Sequence, residues 1–379
     1  MKKSIRPYWY GIILYCCIIL CASCKHNSQE TTEHTDNIFS YAQNIYSAKG
    51  SNTVTIYFSW DSHRDSLVYI LSDSNSTENN TPNKGIHITT PLTNVAALST
   101  THIGMIHELG KTKSIRGICD YYRISNPEVL QGYFNNDITD VGSSMNINKE
   151  SIITLKPEAI FKVAFNAEDI KENALFQKIN IPIIYTYSWH EKTPLARAEW
   201  IKFFGMLYNC QDKADSIFNM VEKQYLELQA LADTITDKPQ ILAGDMIKDT
   251  WYMPGGESYF GNYIRDAGGN YIFSHDSSTG SVPINIEKVL EISKKANIWV
   301  GVQTESYADL QSKSTTYTHL SAFQKQNCYN YFARTNGNGG NDYWETGFVR
   351  PDIVLADLIH IFHPDILPKH SLVFYKKLE

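Results

Sequence analysis

The sequence predicts an α/β fold made of two lobes joined by one long helix. Three observations predict it. Short apolar, strand-like runs alternate with helix-like stretches along most of the chain, the pattern of a parallel sheet with helices on its faces. An unbroken helical register of apolar residues runs from Asp212 to Thr234, carrying Ala214, Ile217, Phe218, Val221, Tyr225, Leu228 and Leu231. A segment that starts at Asn148 is echoed, in register, by one that starts at Asn285.

The N-terminus stands apart from this pattern. Lys2, Lys3 and Arg6 form a positive region, Tyr8 to Leu20 is apolar, and Ala22-Ser23-Cys24 closes the stretch with small residues. This reads as a secretory signal, too short for a membrane span. A cysteine directly after small residues is the pattern of a lipidation site at Cys24, with plain signal cleavage as the other reading. The box has Cys21 where a leucine is usual. Lys25 to about Asn37 is polar and expected to be a tether. The expected organisation is a signal peptide over 1–23, a lipidated tether over 24–50, an N-terminal lobe over 51–210, a connecting helix over 211–237 and a C-terminal lobe over 238–379.

The elements follow in order. Thr53 to Ser59 and Ser66 to Ser72 read as strands around the turn Asp61 to Asp65, and Ser74 to Lys84 as a polar loop. Val95 to Leu98 is a short strand, Thr100 to Leu109 a helix stopped by Gly110, and Ile115 to Ile118 the next strand. Ser151 to Leu155 is helical, Pro157 breaks it, and Ala159 to Val163 and Ile181 to Tyr187 are strands. Leu195 to Leu207 reads as one helix before the long one. The alternation then resumes with strand Gln240 to Ala243, helix Tyr259 to Asp266, helix Ile286 to Lys294, strand Ile298 to Val302 and helix Asp352 to Phe362, stopped by His363-Pro364.

In the echoed segments an Asn is placed to cap a helix and a Glu, Glu150 or Glu287, sits in its first turn. Each helix leads into an apolar strand. The bland account is that Asn-x-Glu is a common helix start; the extended register favours a true internal repeat.

Composition excludes several functions. The chain has 379 residues, 42% of them hydrophobic, and a formal charge of −6. No basic patch or stripe appears, so no nucleic-acid partner is expected. Of seven cysteines, Cys119, Cys210 and Cys328 remain after the signal and Cys24 are set aside. They show no CxxC spacing and read as small buried hydrophobes. No HExxH or His-rich loop is present, and His360 and His363 read as surface. No Gly-x-Ser-x-Gly elbow is present, and the glycines at 337, 339 and 340 lack a dinucleotide-binding context. No enzyme activity, metal site or resident cofactor is expected.

Three groups of residues carry a family resemblance. Leu98-Ser99-Thr100-Thr101-His102 leads to Glu108-Leu109-Gly110 and Ile115-Arg116-Gly117-Ile118. Asp140-Val141-Gly142 leads to Glu150 through Glu158. Pro254-Gly255-Gly256-Glu257-Ser258 leads to Asp266-Ala267-Gly268-Gly269. In order and spacing these resemble the periplasmic binding proteins that serve siderophore, haem and cobalamin importers, over roughly Ile88 to Leu378. The resemblance implies two Rossmann-like lobes, a rigid connecting helix and a ligand cleft between the lobes. It further implies a periplasm-facing protein that delivers its ligand to an ABC permease; with the lipidation read at Cys24, a lipid-anchored monomer is expected. It implies that Glu150 and Glu287 dock onto permease arginines. The ligand stays open between an iron–siderophore complex, haem and a corrinoid. In cobalamin binders aromatics often precede the docking Glu, and the corresponding Ser143-Ser144 and Gly280-Ser281 are small and polar.

Cleft residues belong on loops at the C-terminal ends of strands. On that rule the expected ligand contacts are His102, Tyr121, Tyr122, Trp251, Tyr252 and the run Asn341, Asp342, Tyr343, Trp344 and Glu345 after Gly339-Gly340. His102 or a cleft tyrosine is a candidate ligand for haem iron. A surface interaction lipoprotein without a transport role is the alternative from another class.

Overall fold

The computed structural model describes residues 36–60, 63–74, 84–171, 176 and 178–379. The signal segment, Cys24 and most of the tether lie outside the described residues, as do Asp61 and Ser62. The fold set out below is the compact unit Asn37–Glu379.

It begins earlier than expected. Strand β1 (Ile45–Tyr46) pairs antiparallel with β2 (Thr53–Trp60), which continues into β3 (His63–Asp73) and β4 (Ile86–Thr90), a four-stranded sheet in chain order. Residues 37–50, expected to be tether, are therefore part of the fold. The reason is two buried carboxylates far along the chain. Glu199 accepts the backbone N–H groups of Ser40, Tyr41 and Ala42 at 2.7–2.8 Å, and Glu191 accepts those of Gln43 and Asn44. Phe39, Ala42 and Ile45 fill the core beneath.

The N-terminal lobe is a five-stranded, all-parallel sheet. Its strands are β5 (Val95–Ala97), β6 (Ile115–Ile118), β7 (Thr139–Asp140), β10 (Ala159–Val163) and β11 (Ile183–Thr186), in the order β11-β10-β5-β6-β7. Strands β8 (Gly142–Ser143) and β9 (Asn146–Ile147) form a small hairpin after β7. Helices α1 (Thr100–Glu108), α2 (Pro127–Phe134) and α3 (Lys149–Leu155) cross between strands. Asn126 caps α2 by accepting from Glu128 and Val129, and Asn148 caps α3 by accepting from Ser151.

The stretch Leu195 to Leu207 is two helices, α4 (Pro194–Ala198) and α5 (Ile201–Leu207). The break falls at Glu199, whose carboxylate is turned inward to hold residues 40–42. The connecting helix α6 spans Gln211–Asp233, slightly shorter than expected. It buries Ala214, Phe218, Val221 and Tyr225 at helical spacing, with the first two in the N-lobe core and the last two in the C-lobe core.

The C-terminal lobe repeats the plan with β12 (Gln240–Ala243), β15 (Asn270–Tyr271), β17 (Ile298–Val300), β18 (Cys328–Asn330) and β19 (Lys376–Lys377). The order is β15-β12-β17-β18-β19, with only β19 antiparallel. A second, antiparallel sheet was not foreseen: β13 (Asp245–Ile247), β14 (Thr250–Pro254) and β16 (Ser281–Ile284). Helices α7 (Tyr259–Asp266), α8 (Ile286–Ile292) and α9 (Pro351–Phe362) are among those of the lobe, α9 packing along α6. The lobe boundary is not clean in sequence, because Phe348 and Val349 sit in the N-lobe core and Leu195 in the C-lobe core.

Candidate functional site

The C-terminal ends of the parallel strands in the two sheets gather a set of charged, polar and aromatic side chains. On the N lobe, β5, β6 and β10 end around a cavity of about 130 Å³ lined by Ser99, Thr100, Asp120, Arg123, Ser144, Lys162 and Phe165, among others. Lys162 reaches it from β10 and is ion-paired at 3.4 Å with Asp169. Asp169 also accepts the N–H groups of Phe165 and Asn166, and so fixes the loop that presents the Phe165 ring. Asp120 takes a left-handed backbone, φ +49°, and accepts the N–H of Ser144 at 3.0 Å. Burial acts to raise the Asp120 pKa, but hydrogen bonds from Ser144 and the Arg123 charge outweigh it, and the group stays below the usual carboxylate range. Arg123 itself is exposed.

Aromatic rings extend this edge beyond β11. Phe165 and Trp189 are exposed and 5.7 Å apart, and Trp189 is fixed by a 2.8 Å bond from its indole N–H to Ala164. His190 stacks on Tyr187 at 4.6 Å. Burial and then the charges of Lys192 and Arg197 lower its pKa, so its imidazole is neutral at pH 7. The Arg197 guanidinium lies over the Tyr259 ring at 3.7 Å and donates to Trp189 and Glu191 carbonyls. Arg197 thus ties the loop after β11 to the C-terminal lobe.

On the C lobe, buried Asp245 after β12 accepts from Tyr317 at 2.6 Å and from the Gln303 N–H, with Lys313 at 3.7 Å. Gln303 donates to the Tyr331 hydroxyl, and Tyr331 stacks on Tyr343 at 4.7 Å and meets Trp344 edge-on at 5.7 Å.

The predicted site residues divide clearly. Tyr122 is exposed at the N-lobe edge, and Tyr121 beside it is stacked on Tyr133 at 4.7 Å. Tyr252 is exposed on β14, opposite Asp245, and Trp344 is 40% exposed. His102 is corrected: it lies inside the N-lobe core between Phe161 and Phe204, bonded to Thr186 at 2.8 Å. Burial pushes its pKa down to about 3, and only 1% of its surface is exposed. Trp251 is also corrected. It is fully buried against Trp299 and donates to the Ala243 carbonyl, because alternate residues of β14 face opposite sides.

The run 341–345 straps the two lobes together. Asn341 and Tyr343 are buried, Asn341 bonding the Tyr331 carbonyl, and Asp342 pairs with Arg334 at 3.0 Å. Glu345 is buried against the N lobe, where it accepts the Ser125 N–H. Upstream, Asn336 donates to the Ile124 carbonyl at 2.8 Å. The strap joins the loop after Tyr121–Arg123 to the loop after Tyr331, so the two sheet edges border one cleft.

Arg123, Lys162, Phe165, Trp189, His190 and Tyr331, which stand at these strand ends, were not singled out from the sequence. The strand-end rule already applied to Tyr121 was enough to find most of them, since Phe165 and Trp189 lie two or three residues past β10 and β11. His360 and His363 bond the separate carbonyls of Leu367 and Gly268. Cys119 and Cys328 are buried free thiols, as read, and Cys210 is half-buried.

The model of the periplasmic binding protein family matches residues 95–335, from β5 through β18, and so takes in every parallel strand of the two five-stranded sheets. The chain belongs to the periplasmic binding protein family. It shares the fold of solved members: a periplasmic binding protein from Veillonella parvula superposes with a TM-score of 0.58 at 15% identity, over 85% of this chain and 95% of that one. A periplasmic heme-binding protein from Pseudomonas aeruginosa superposes at 0.55 and 14% identity, over 72% and 94%. In sequence the chain is 29% identical to an uncharacterized lipoprotein of Methanocaldococcus jannaschii, over 76% of this chain and 70% of that protein. The periplasmic binding protein family consists of solute-binding proteins of ABC transporters, not enzymes.

Proposed function

We propose that this periplasmic binding protein captures an anionic iron complex, a siderophore chelate or haem, in the cleft and hands it to an ABC permease. One observation carries the reading: exposed Arg123 stands on the same sheet edge as the exposed rings of Phe165 and Trp189. Cations suit a ligand with carboxylate or catecholate charge, and rings suit a large planar or bulky body. His190 replaces His102 as the candidate imidazole for haem iron, and Tyr122 and Tyr331 are the candidate phenols.

Lipidation at Cys24 would hold the protein, as a monomer, at the membrane where the permease lies. Support comes from the small residues before Cys24 and from the relative named a lipoprotein. Glu150 and Glu287 are the proposed docking carboxylates. Both are exposed at the second position of a seven-residue helix with an Asn cap, one in each lobe. Charge-assisted contacts to arginine are oriented and favour a matched partner.

The deciding experiment is titration of the purified protein with haemin, a ferric siderophore and cyanocobalamin, followed by absorption and tryptophan fluorescence. Saturable binding of an iron complex at one per chain is expected. Binding of cobalamin alone would move the assignment to corrinoids. Binding of none would favour the surface-interaction alternative.

A further inference from the structure

The rings of Trp189 and His190 stand on the short turn after β11, past the last residue that pairs in the sheet. What sets their planes is Tyr187. Its ring is buried and stacks face-on with His190 at 4.6 Å, while Trp189 meets it edge-on at 5.5 Å. A single bond, from the indole N–H to Ala164, would let the Trp189 ring tilt; its contacts with Tyr187 and Phe165 restrict that tilt.

Tyr187 is itself held from outside the parallel sheet. Its hydroxyl donates to the Ser59 carbonyl at 2.9 Å, across 128 residues of chain. Phe58 and Trp60 flank that carbonyl and, as alternate residues of β2, share one face of the strand. Their rings stack at 5.4 Å, and both touch Tyr187, Phe58 at 5.3 Å and Trp60 edge-on at 5.2 Å. The hairpin is brought there by Tyr69 of β3, whose hydroxyl donates to the Ile183 carbonyl and accepts the Tyr185 N–H, both on β11. Its closing end, where Trp60 pairs with His63, therefore falls at the C-terminal end of β11, the end that borders the cleft. Phe58 is fully buried core, whereas Trp60 is half-buried at the strand end. The hairpin precedes residues 95–335, which the family model matches.

We infer that Trp60 is a positioning residue of the cleft: through Tyr187 it fixes the planes of Trp189 and His190, and so the β2–β3 hairpin helps to set which ligand the cleft prefers. The inference rests on the reading of Trp189 and His190 as ligand-facing. A flat macrocycle gains contact over a whole ring face only when the ring plane is set in advance, whereas a rounded chelate touches a ring in many orientations. Loosening Tyr187 therefore falls harder on haemin than on a ferric siderophore.

For the test the full chain is labelled with 5-fluorotryptophan, and the fluorine line of Trp189 is assigned from Trp189→Phe. In the free protein Trp60→Ala should shift or split that line. Trp60→Phe, which keeps a ring against Phe58 and Tyr187, should leave it in place. Haemin titration should then give a Kd about tenfold higher for Trp60→Ala, the cost of ordering two freed side chains on binding. The rise should be smaller for ferric enterobactin, and Trp60→Phe should restore the wild-type value for both. In a Trp189→Ala, His190→Ala background, Trp60→Ala should cost no more than about twofold, because the rings that it positions are gone. A purely structural role predicts a lower melting temperature with the Trp189 line unmoved, or the same loss of affinity in that background. Either result would overturn the inference. If Trp60→Ala does not fold, Tyr187→Phe, which removes only the hydroxyl bonded to Ser59, takes its place under the same criteria. If the wild type binds neither ligand while the Trp189 line responds as expected, the ligand reading fails and the positioning role stands.

Discussion

Glu345, on the strap from the C-terminal lobe, places its carboxyl group against the backbone of the N-terminal lobe and accepts the Ser125 N–H at 2.5 Å. It is almost fully buried, and burial pushes its pKa up to about 8, with the nearby charge of Asp342 adding to the rise and the Ser125 and Asn126 N–H groups opposing it. At neutral pH the group that fastens the two lobes is therefore mainly the uncharged acid.

That protonation state sets a pH dependence. An unfolded glutamate titrates near 4.5, so between about pH 4.5 and 8 the folded chain holds a proton that the unfolded chain has lost. Stability contributed by this group then falls as pH rises through that window, by up to about 1.4 kcal/mol per unit. Glu345→Gln keeps the acceptor and cannot ionise. It should be close to wild type at pH 5 and progressively more stable than wild type up to pH 8, as measured by urea unfolding. A constant difference across that range would show that Glu345 is not the titrating group.

His102 works in the opposite direction. Its folded pKa is depressed to about 3 against an ordinary 6.5, so folding holds it neutral where the unfolded chain would protonate it. Its contribution is full above pH 6.5 and is lost as pH falls toward 3. His102→Gln keeps a group able to bond Thr186 and has no charge to gain. Its stability relative to wild type should therefore improve steadily below pH 6.5, and the acid midpoint of unfolding, followed by circular dichroism, should move down.

The clamp on residues 37–50 is a third test. Glu199 is fully buried, accepts three consecutive N–H groups and pairs with Lys202 at 2.8 Å. Glu199→Ala leaves those donors and the lysine without their acceptor, a loss of about 3–5 kcal/mol for a buried, hydrogen-bonded charge. Limited proteolysis should then cut within residues 37–48 well before the rest of the chain. Equal protection in the variant and the wild type would show that the core contacts of Phe39 and Ile45 are enough.

Those three residues also mark where the sequence was readable and where it was not. The strands at 95–97, 115–118, 159–163 and 240–243 and the helices at 100–108, 211–233 and 259–266 were legible because each is specified locally, by an apolar run and a cap or stop. Trp251 and Tyr252 were read as neighbours on one cleft wall because β14 was not recognised as a strand, where adjacent residues must part. The burial of Gly340 was hidden for a different reason. A Cβ there would fall 2.0 Å from the Ile124 carbonyl, so glycine is needed for close approach to a partner distant in sequence. Glu199 and its N–H donors are likewise remote in sequence. What depends on such pairings leaves no local pattern to read.

The last prediction separates the two tryptophans that sequence position alone had grouped together. Trp344 is exposed beside Tyr331 at the cleft, whereas Trp251 is enclosed by Trp299 and Tyr317 at 5.1 and 6.1 Å. A ring that closes over a ligand contributes to affinity, and its removal costs about 1–3 kcal/mol, roughly a tenfold to hundredfold rise in Kd. Trp344→Ala should show that loss, together with part of the ligand-induced fluorescence quenching, the remainder coming from Trp189. Trp251→Phe should leave Kd unchanged and instead lower the melting temperature, because it opens space in a packed core and frees the Ala243 carbonyl of its indole donor. Arg123→Ala should weaken an anionic ligand as well, and more at low than at high salt, since the guanidinium is exposed and its attraction is screened. The proposed cleft is wrong if affinity follows Trp251 while ignoring both Trp344 and Arg123, because the ligand would then have to reach a side chain that the fold has closed off.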